Sequence, residues 1–254
     1  MKHILLIIVF TATGFFTIAQ RTPKIKTVDE LINYADPGWK NVKKMIDSAV
    51  NKVDIMAVDT NAAREAIYQL QVEANPNSPL GGIVYSTGGL LVEGGWLRVL
   101  GSGSNKLTRS VSAWNKGKTF DNPGETGPYL LIADDALGGF FAINNGGLGS
   151  DRGRVYYLCP WTLQWDRLDM SYTDFLRFCF EGDFEEFYKP YMSKNWKYDV
   201  ATLTADKCYN YTPPLWSKEG QKFTKSVRKH IPIEEQYNLN MQMRKQFGFD
   251  KDEE

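Results

Sequence analysis

The chain has 254 residues, 43% of them hydrophobic and 13% aromatic, and its 30 basic residues balance 30 acidic ones. A formal net charge of +0 supplies no bulk attraction for nucleic acid or for an anionic membrane, so neither is an expected partner. Two histidines and three cysteines leave little material for metal or redox chemistry.

The first nineteen residues read as a cleavable signal peptide. Met1-Lys2-His3 gives a short positive start, Ile4 to Ile18 is apolar, and Thr17 and Ala19 place small residues before a cut ahead of Gln20. The apolar run is shorter than the roughly 20 residues of a spanning helix and carries Thr11, Thr13 and Gly14. No Cys stands near the cut, so a lipid-modified N-terminus is not expected. Cleavage takes away Lys2 and no acid, leaving 29 basic residues against 30 acidic. The expectation is an exported protein, periplasmic or extracellular, with no integral membrane segment and one α+β domain over residues 20–254.

Thr27 and Glu30 form a capping box for a short helix running to Tyr34. From Trp39, the apolar residues Val42, Ile46, Ala49 and Val50 recur at helical spacing and predict a second helix that runs into Val53. Val53 to Val58 predicts a strand, and Asp59 caps a third helix with Ala63, Ile67 and Leu70 on one face. Asn75 to Pro79 reads as a loop. Ile83 to Tyr85, Leu90 to Glu93 and Leu97 to Leu100 are predicted strands separated by glycine pairs. Ser102 to Gly127 reads as a long excursion from the sheet.

Four strands, Tyr129 to Ala133, Gly139 to Ile143, Arg154 to Leu158 and Leu163 to Leu168, predict a meander. Ser171 and Asp174 then cap a helix that carries Tyr172, Phe175, Leu176 and Cys179 on one face. A last amphipathic helix is expected from Ile233 to Phe247, with a frayed tail from Asp250.

The chemistry-bearing residues exclude more than they suggest. After cleavage His230 is the only histidine, in a basic stretch, and a surface position is expected for it. No metal site and no cofactor are expected, because the cysteines lack metal or redox spacing. Gly101 to Lys106 lacks the Lys-Ser/Thr pair and following helix of a phosphate loop, and Asn144 to Gly149 joins two strands of the meander, so both read as turns. Cys159, Cys179 and Cys208 are expected as buried thiols, with a Cys159–Cys179 bridge as the alternative. The acid groups Asp134-Asp135, Asp166 with Asp169, and Glu181 to Glu186 could supply two carboxylates for glycoside hydrolysis. Adjacent acids on a strand nevertheless face opposite ways, and those at helix ends are normally solvated.

The tryptophans are the remaining signal: Trp96, Trp114, Trp161, Trp165, Trp196 and Trp216 can anchor a protein partner or stack on a sugar. Trp165 is expected in the core. Trp114 and Trp216, in Gly- and Pro-rich segments, are expected at the surface, and Tyr211 to Trp216 forms an extended docking strip or brace. The partner-binding candidates are Trp114, Trp216, Tyr211 and Trp96.

Trp39 to Val42, Gly94 to Gly103, the hairpin from Asp134 to Ile143, and Cys159-Pro160-Trp161-Thr162-Leu163-Gln164-Trp165 resemble an uncharacterised bacterial family, domain of unknown function 2625. The likeness spans residues 28 to 248. Tyr129 through Leu176 is also similar to the end of the SUKH superfamily: a hairpin, a strand pair holding Val155 and Trp165, then Ser171-x-x-x-Phe175-Leu176. That resemblance implies an α+β fold, a central and mostly antiparallel sheet with flanking helices, and a role in protein interaction or toxin immunity. The export signal departs from a cytoplasmic immunity role. The expected function is a non-enzymatic protein-interaction module with an unidentified protein partner. The alternative is a cell-envelope glycan binder or a glycoside hydrolase using an acid pair.

Overall fold

Seven strands lie side by side in the order in which the chain makes them. They are β1 (Val53–Met56), β2 (Gly89–Val92), β3 (Leu97–Leu100), β4 (Tyr129–Asp135), β5 (Phe140–Asn144), β6 (Arg154–Leu158) and β7 (Trp165–Ser171). Every neighbouring pair is antiparallel. β8 (Lys207–Thr212) and β9 (Val227–Pro232) form a separate antiparallel pair. This computed structural model describes residues 24–32, 34–189, 191–222 and 226–249. The expected signal peptide and the tail from Asp250 lie outside them. The α+β class and the antiparallel meander are as expected.

The helices are α1 (Val28–Leu31), α2 (Trp39–Asp47), α3 (Thr60–Leu70), α4 (Pro79–Ser86), α5 (Val111–Asn115), α6 (Tyr172–Glu181), α7 (Phe184–Phe187), α8 (Trp196–Val200) and α9 (Ile233–Phe247). Both capping boxes form, Thr27 with Glu30 on α1 and Ser171 with Asp174 on α6, and Asp59 caps α3 through Ala62 N. No helix among the described residues is long and apolar enough to cross a membrane.

Alternation along the strands divides the core in two. Phe140 packs with Trp114, Leu131, Leu158 and Tyr237 on one face, whereas its neighbour Phe141 packs with Trp96, Tyr157, Phe175 and Cys179 on the other. The first cluster includes residues of α3, α5 and α9, and the second includes residues of α6, α7 and α8. Cys159, Cys179 and Cys208 are all buried with free thiols, so the alternative bridge does not form.

Four local expectations are corrected. Ile83 to Tyr85 is helix, not strand: Ser78 Oγ caps Gly81 N at 3.0 Å, and Pro79 sits at the first helical position, where its missing N–H costs nothing. Gly81 to Val84 are buried in succession, so no polar face betrays the helical period. α1 and α2 end at Leu31 and Asp47, short of Tyr34 and Val53. β7 begins at Trp165, because Leu163 adopts φ +57°, outside strand conformation. Ser102 to Gly127 is not an excursion: Leu107, Val111 and Trp114 enter the core, and Asn115 bonds β4 through Leu131 N and Leu131 O, both at 2.8 Å.

Candidate functional site

Beside the outer strands of the sheet lies an open cleft of about 920 Å³. One wall is the β5–β6 turn, Gly146 to Ser150 with Arg152. The other is the end of α9 with Met241, Arg244, Gly248 and Phe249, and between them stand Tyr129, Gln164 and Trp165.

Asn144, 1% exposed at the end of β5, builds the glycine wall. Its Oδ1 accepts from Gly146 N at 2.7 Å and Leu148 N at 3.0 Å, and its Nδ2 donates to Gly149 O at 2.9 Å. Pro128 O accepts from Asn145 N at 2.9 Å and Gly147 N at 3.0 Å, which ties the turn to the start of β4. Gly146 needs its glycine for the backbone conformation. Its φ is +107°, and a Cβ there would sit 3.1 Å from Nε and 3.2 Å from Nη2 of Arg152. The Arg152 guanidinium therefore rests against a bare backbone.

Trp165 is half-buried, and its ring meets that of Tyr129 at 5.3 Å with 50° between planes. The Tyr129 hydroxyl lies 3.3 Å from that of Tyr237, whose phenol burial pushes upward. Arg244 donates to Leu163 O, and also to Phe249 O at 3.1 Å, so the end of α9 is tied to the segment leading into β7. Outside the cleft, Asp151 bonds Arg167 at 2.7 Å and accepts from the Tyr156 hydroxyl at 2.6 Å. The Tyr156 hydrogen bond is the first cause holding the Asp151 carboxyl below its usual range.

Among the described residues, those lining the cleft include no carboxylate, histidine or cysteine. They offer an aromatic shelf, an exposed cation, an amide, a hydroxyl and bare glycine backbone. That inventory suits binding.

The sequence-nominated residues are elsewhere. Trp114, expected at the surface, is 3% exposed: it stacks on Phe140 at 6.2 Å, and Lys118 Nζ lies 4.3 Å over its ring. Trp96 is 2% exposed and packs edge-on against Tyr188 at 5.4 Å and Trp196 at 5.3 Å. Tyr211 is 4% exposed on β8. Trp216 is half-buried and borders, with Tyr211, a crevice of about 10 Å³, room for about one water. Trp165, expected in the core, is the tryptophan that lines the cleft. The Asn144 to Gly149 segment is the turn it was read to be and is also a wall.

The acid groups do not assemble a catalytic pair. Asp134 is 0% exposed and lies 2.6 Å from Arg98 and 2.7 Å from Arg109. Asp135, also 0% exposed, accepts from Leu137 N and Gly139 N at 2.9 Å and from the Tyr157 hydroxyl at 2.7 Å. Asp166 and Asp169 are exposed on β7, with Asp169 paired to Arg167. Asp183 caps α7, Glu185 accepts from Trp196 Nε1 at 3.2 Å, and Glu186 pairs with Lys189. His230 is exposed on β9, as expected.

The family model described as "Protein of unknown function DUF2625" matches residues 28–236. The chain belongs to that family. Of its relatives, an "Uncharacterized protein" of Haemophilus influenzae is 35% identical over 223 residues, 88% of this chain and 97% of the relative. "Putative uncharacterized protein YbfG" of Escherichia coli K12 is 35% identical over 223 residues, 88% of this chain and 99% of the relative. No solved structure matches the chain. The sheet side of the cleft, Tyr129 to Trp165, falls inside the DUF2625 match, whereas Met241 and Arg244 of α9 lie beyond it.

Proposed function

We propose that this DUF2625 protein is an exported, non-enzymatic interaction protein whose partner docks in the cleft between the β5–β6 turn and α9. The observation that carries the reading is the lining of that cleft: Trp165 and Tyr129 as an aromatic shelf, Arg152 at the rim, and no carboxylate, histidine or cysteine among the described lining residues. Export rests on the pattern of residues 1–19. The order of meander and Ser171-capped helix also fits the SUKH likeness, with its interaction role.

A glycan-binding role is the second reading, favoured by the Tyr129–Trp165 ring pair, on which a sugar face could stack. Hydrolysis by Asp134-Asp135 has no physical basis, because both carboxylates are sealed from solvent and held by internal partners.

The test is capture from an envelope fraction by the tagged mature chain, residues 20–254, with bound proteins and glycans identified together. A protein retained by the wild type and lost from both Arg152→Ala and Trp165→Ala supports the first reading. Retention of glycan alone supports the second, and capture indifferent to both substitutions removes the cleft from consideration.

A further inference from the structure

We propose that the cleft recognises an acidic peptide segment, one that presents a carboxylate to Arg152 beside an apolar or aromatic side chain for Trp165. The inference rests on the reading of the cleft as the docking site and adds the chemistry of its occupant.

The argument begins with the disposition of positive charge around the β5–β6 turn. Arg167 is neutralised by Asp151 and Asp169, each at 2.7 Å. Arg152, next to Asp151 in sequence, has no ion pair or hydrogen bond to its side chain among the described residues, yet it is not splayed into solvent at random. Its guanidinium lies across Gly146, near enough that a Cβ there would meet Nε at 3.1 Å, Nη2 at 3.2 Å and Cζ at 3.4 Å. An exposed guanidinium at the cleft rim that is left without an anion is free to take one, and carboxylate is the anion its fork geometry matches.

Trp165 supplies the second determinant. Tyr129 braces its ring from one side at 5.3 Å, so an apolar side chain that packs on the shelf orders little further. The third determinant points to a peptide. Among the described residues β7 is the outermost strand of the seven-stranded sheet and pairs only with β6, so its outer backbone groups have no ladder partner there. Gln164 and Trp165, which lead into that strand, line the cleft beside the glycine wall. Unpaired strand backbone accommodates an extended chain, and main-chain bonding of this kind suits peptides rather than sugars.

The experiment pans a random-peptide library on the tagged chain, residues 20–254, and screens neutral and acidic glycan fragments on the same preparation by tryptophan emission. The expected result is enrichment of peptides with Asp or Glu within a few residues of an apolar or aromatic side chain. The leading peptide should lose about tenfold in affinity in Arg152→Ala, a rim substitution, and weaken with added salt. Trp165→Phe should abolish its emission change. Arg152→Lys, which keeps the charge but loses the fork, should recover only part of the affinity. Peptides without acidic enrichment, or an affinity unchanged in Arg152→Ala, overturn the inference. If only glycan fragments alter emission through Trp165, the peptide inference fails while the cleft reading survives. If neither library yields a ligand sensitive to Arg152 or Trp165, both fail.

Discussion

Arg98 on β3 and Asp134 on β4 stand directly opposite each other in the sheet and form an ion pair at 2.6 Å, with neither side chain exposed. Asp134 also bonds Arg109 at 2.7 Å, and Arg109 bonds Asp206 at 2.6 Å. The chain of charges thus links the middle of the sheet to the Ser102 to Gly127 segment and to the residues just before β8. Arg98 and Arg109 also donate to the carbonyls of Gly95 and Ala205, at 3.2 Å and 3.1 Å, so the buried donors are partly shared with backbone.

Asp134→Ala should therefore be among the most destabilising single changes in the chain. It leaves two arginines without their shared anion in a solvent-free site, a loss of about 3–5 kcal/mol. Urea unfolding of the purified variant measures it. A loss below about 1 kcal/mol would show that water reaches the site, since exposed pairs contribute no more than that.

Asp135 gives a pH signature of known sign. Burial is the leading cause that raises its pKa above the ordinary 3.8, against the lowering effect of the Tyr157 hydrogen bond. Above pH 3.8 the unfolded carboxyl ionises freely while the folded one still holds its proton, so the folded state binds more protons. The stability of the wild type relative to Asp135→Asn should then be greatest below pH 3.8, fall as pH rises through the folded pKa, and level off above it. Paired urea titrations across that range test this. A difference that grows with pH would mean that the hydrogen bonds outweigh burial.

What the sequence showed and what it hid both have physical causes. α6 was legible because Ser171 and Asp174 mark its start and Phe175, Leu176 and Cys179 stripe one face. The meander was legible because β4, β5 and β6 are short apolar runs between glycine- and acid-rich turns. α4 was hidden because a helix buried along Gly81 to Val84 shows no period. The cleft was hidden for a different reason: it draws on four separate segments, Tyr129, the turn from Gly146 to Arg152, Gln164 with Trp165, and the end of α9. Only Asn144, followed by three glycines within five residues, hinted at a shaped turn, and nothing local tied it to Trp165 or α9.

The two tryptophans nominated for the surface should separate in stability. Trp114 fills the core between Phe140 and Tyr237, so Trp114→Ala should cost about 3–5 kcal/mol. Trp216 is half-buried beside a crevice that holds no ligand-sized space, and Trp216→Ala should cost about 1–2 kcal/mol, in line with partial loss of apolar burial. Thermal or urea denaturation orders them. Equal losses would place Trp216 in the core as firmly as Trp114.

The thiols should be silent toward aqueous reagents while the protein is folded. Cys159 is 2% exposed, and burial is the first cause raising its pKa to about 11, so thiolate is scarce at neutral pH even where a reagent can approach. Cys179 and Cys208 are 0% exposed, and burial raises both further. A disulfide-exchange dye at pH 8 should accordingly label none of the three on the timescale of minutes and all three in denaturant. Slow labelling in native buffer should follow the opening of the fold rather than dye concentration, because reaction is gated by exposure of the sulfur. Cys159 should appear first. It lies at the end of β6, beside the exposed Thr162 and the half-buried Trp161, whereas Cys179 sits inside α6 and Cys208 on β8 under α9. Stoichiometric labelling within seconds in native buffer would contradict the burial of these sulfurs. So would an intact mass two units below the reduced chain, the mark of a bridge between two of them.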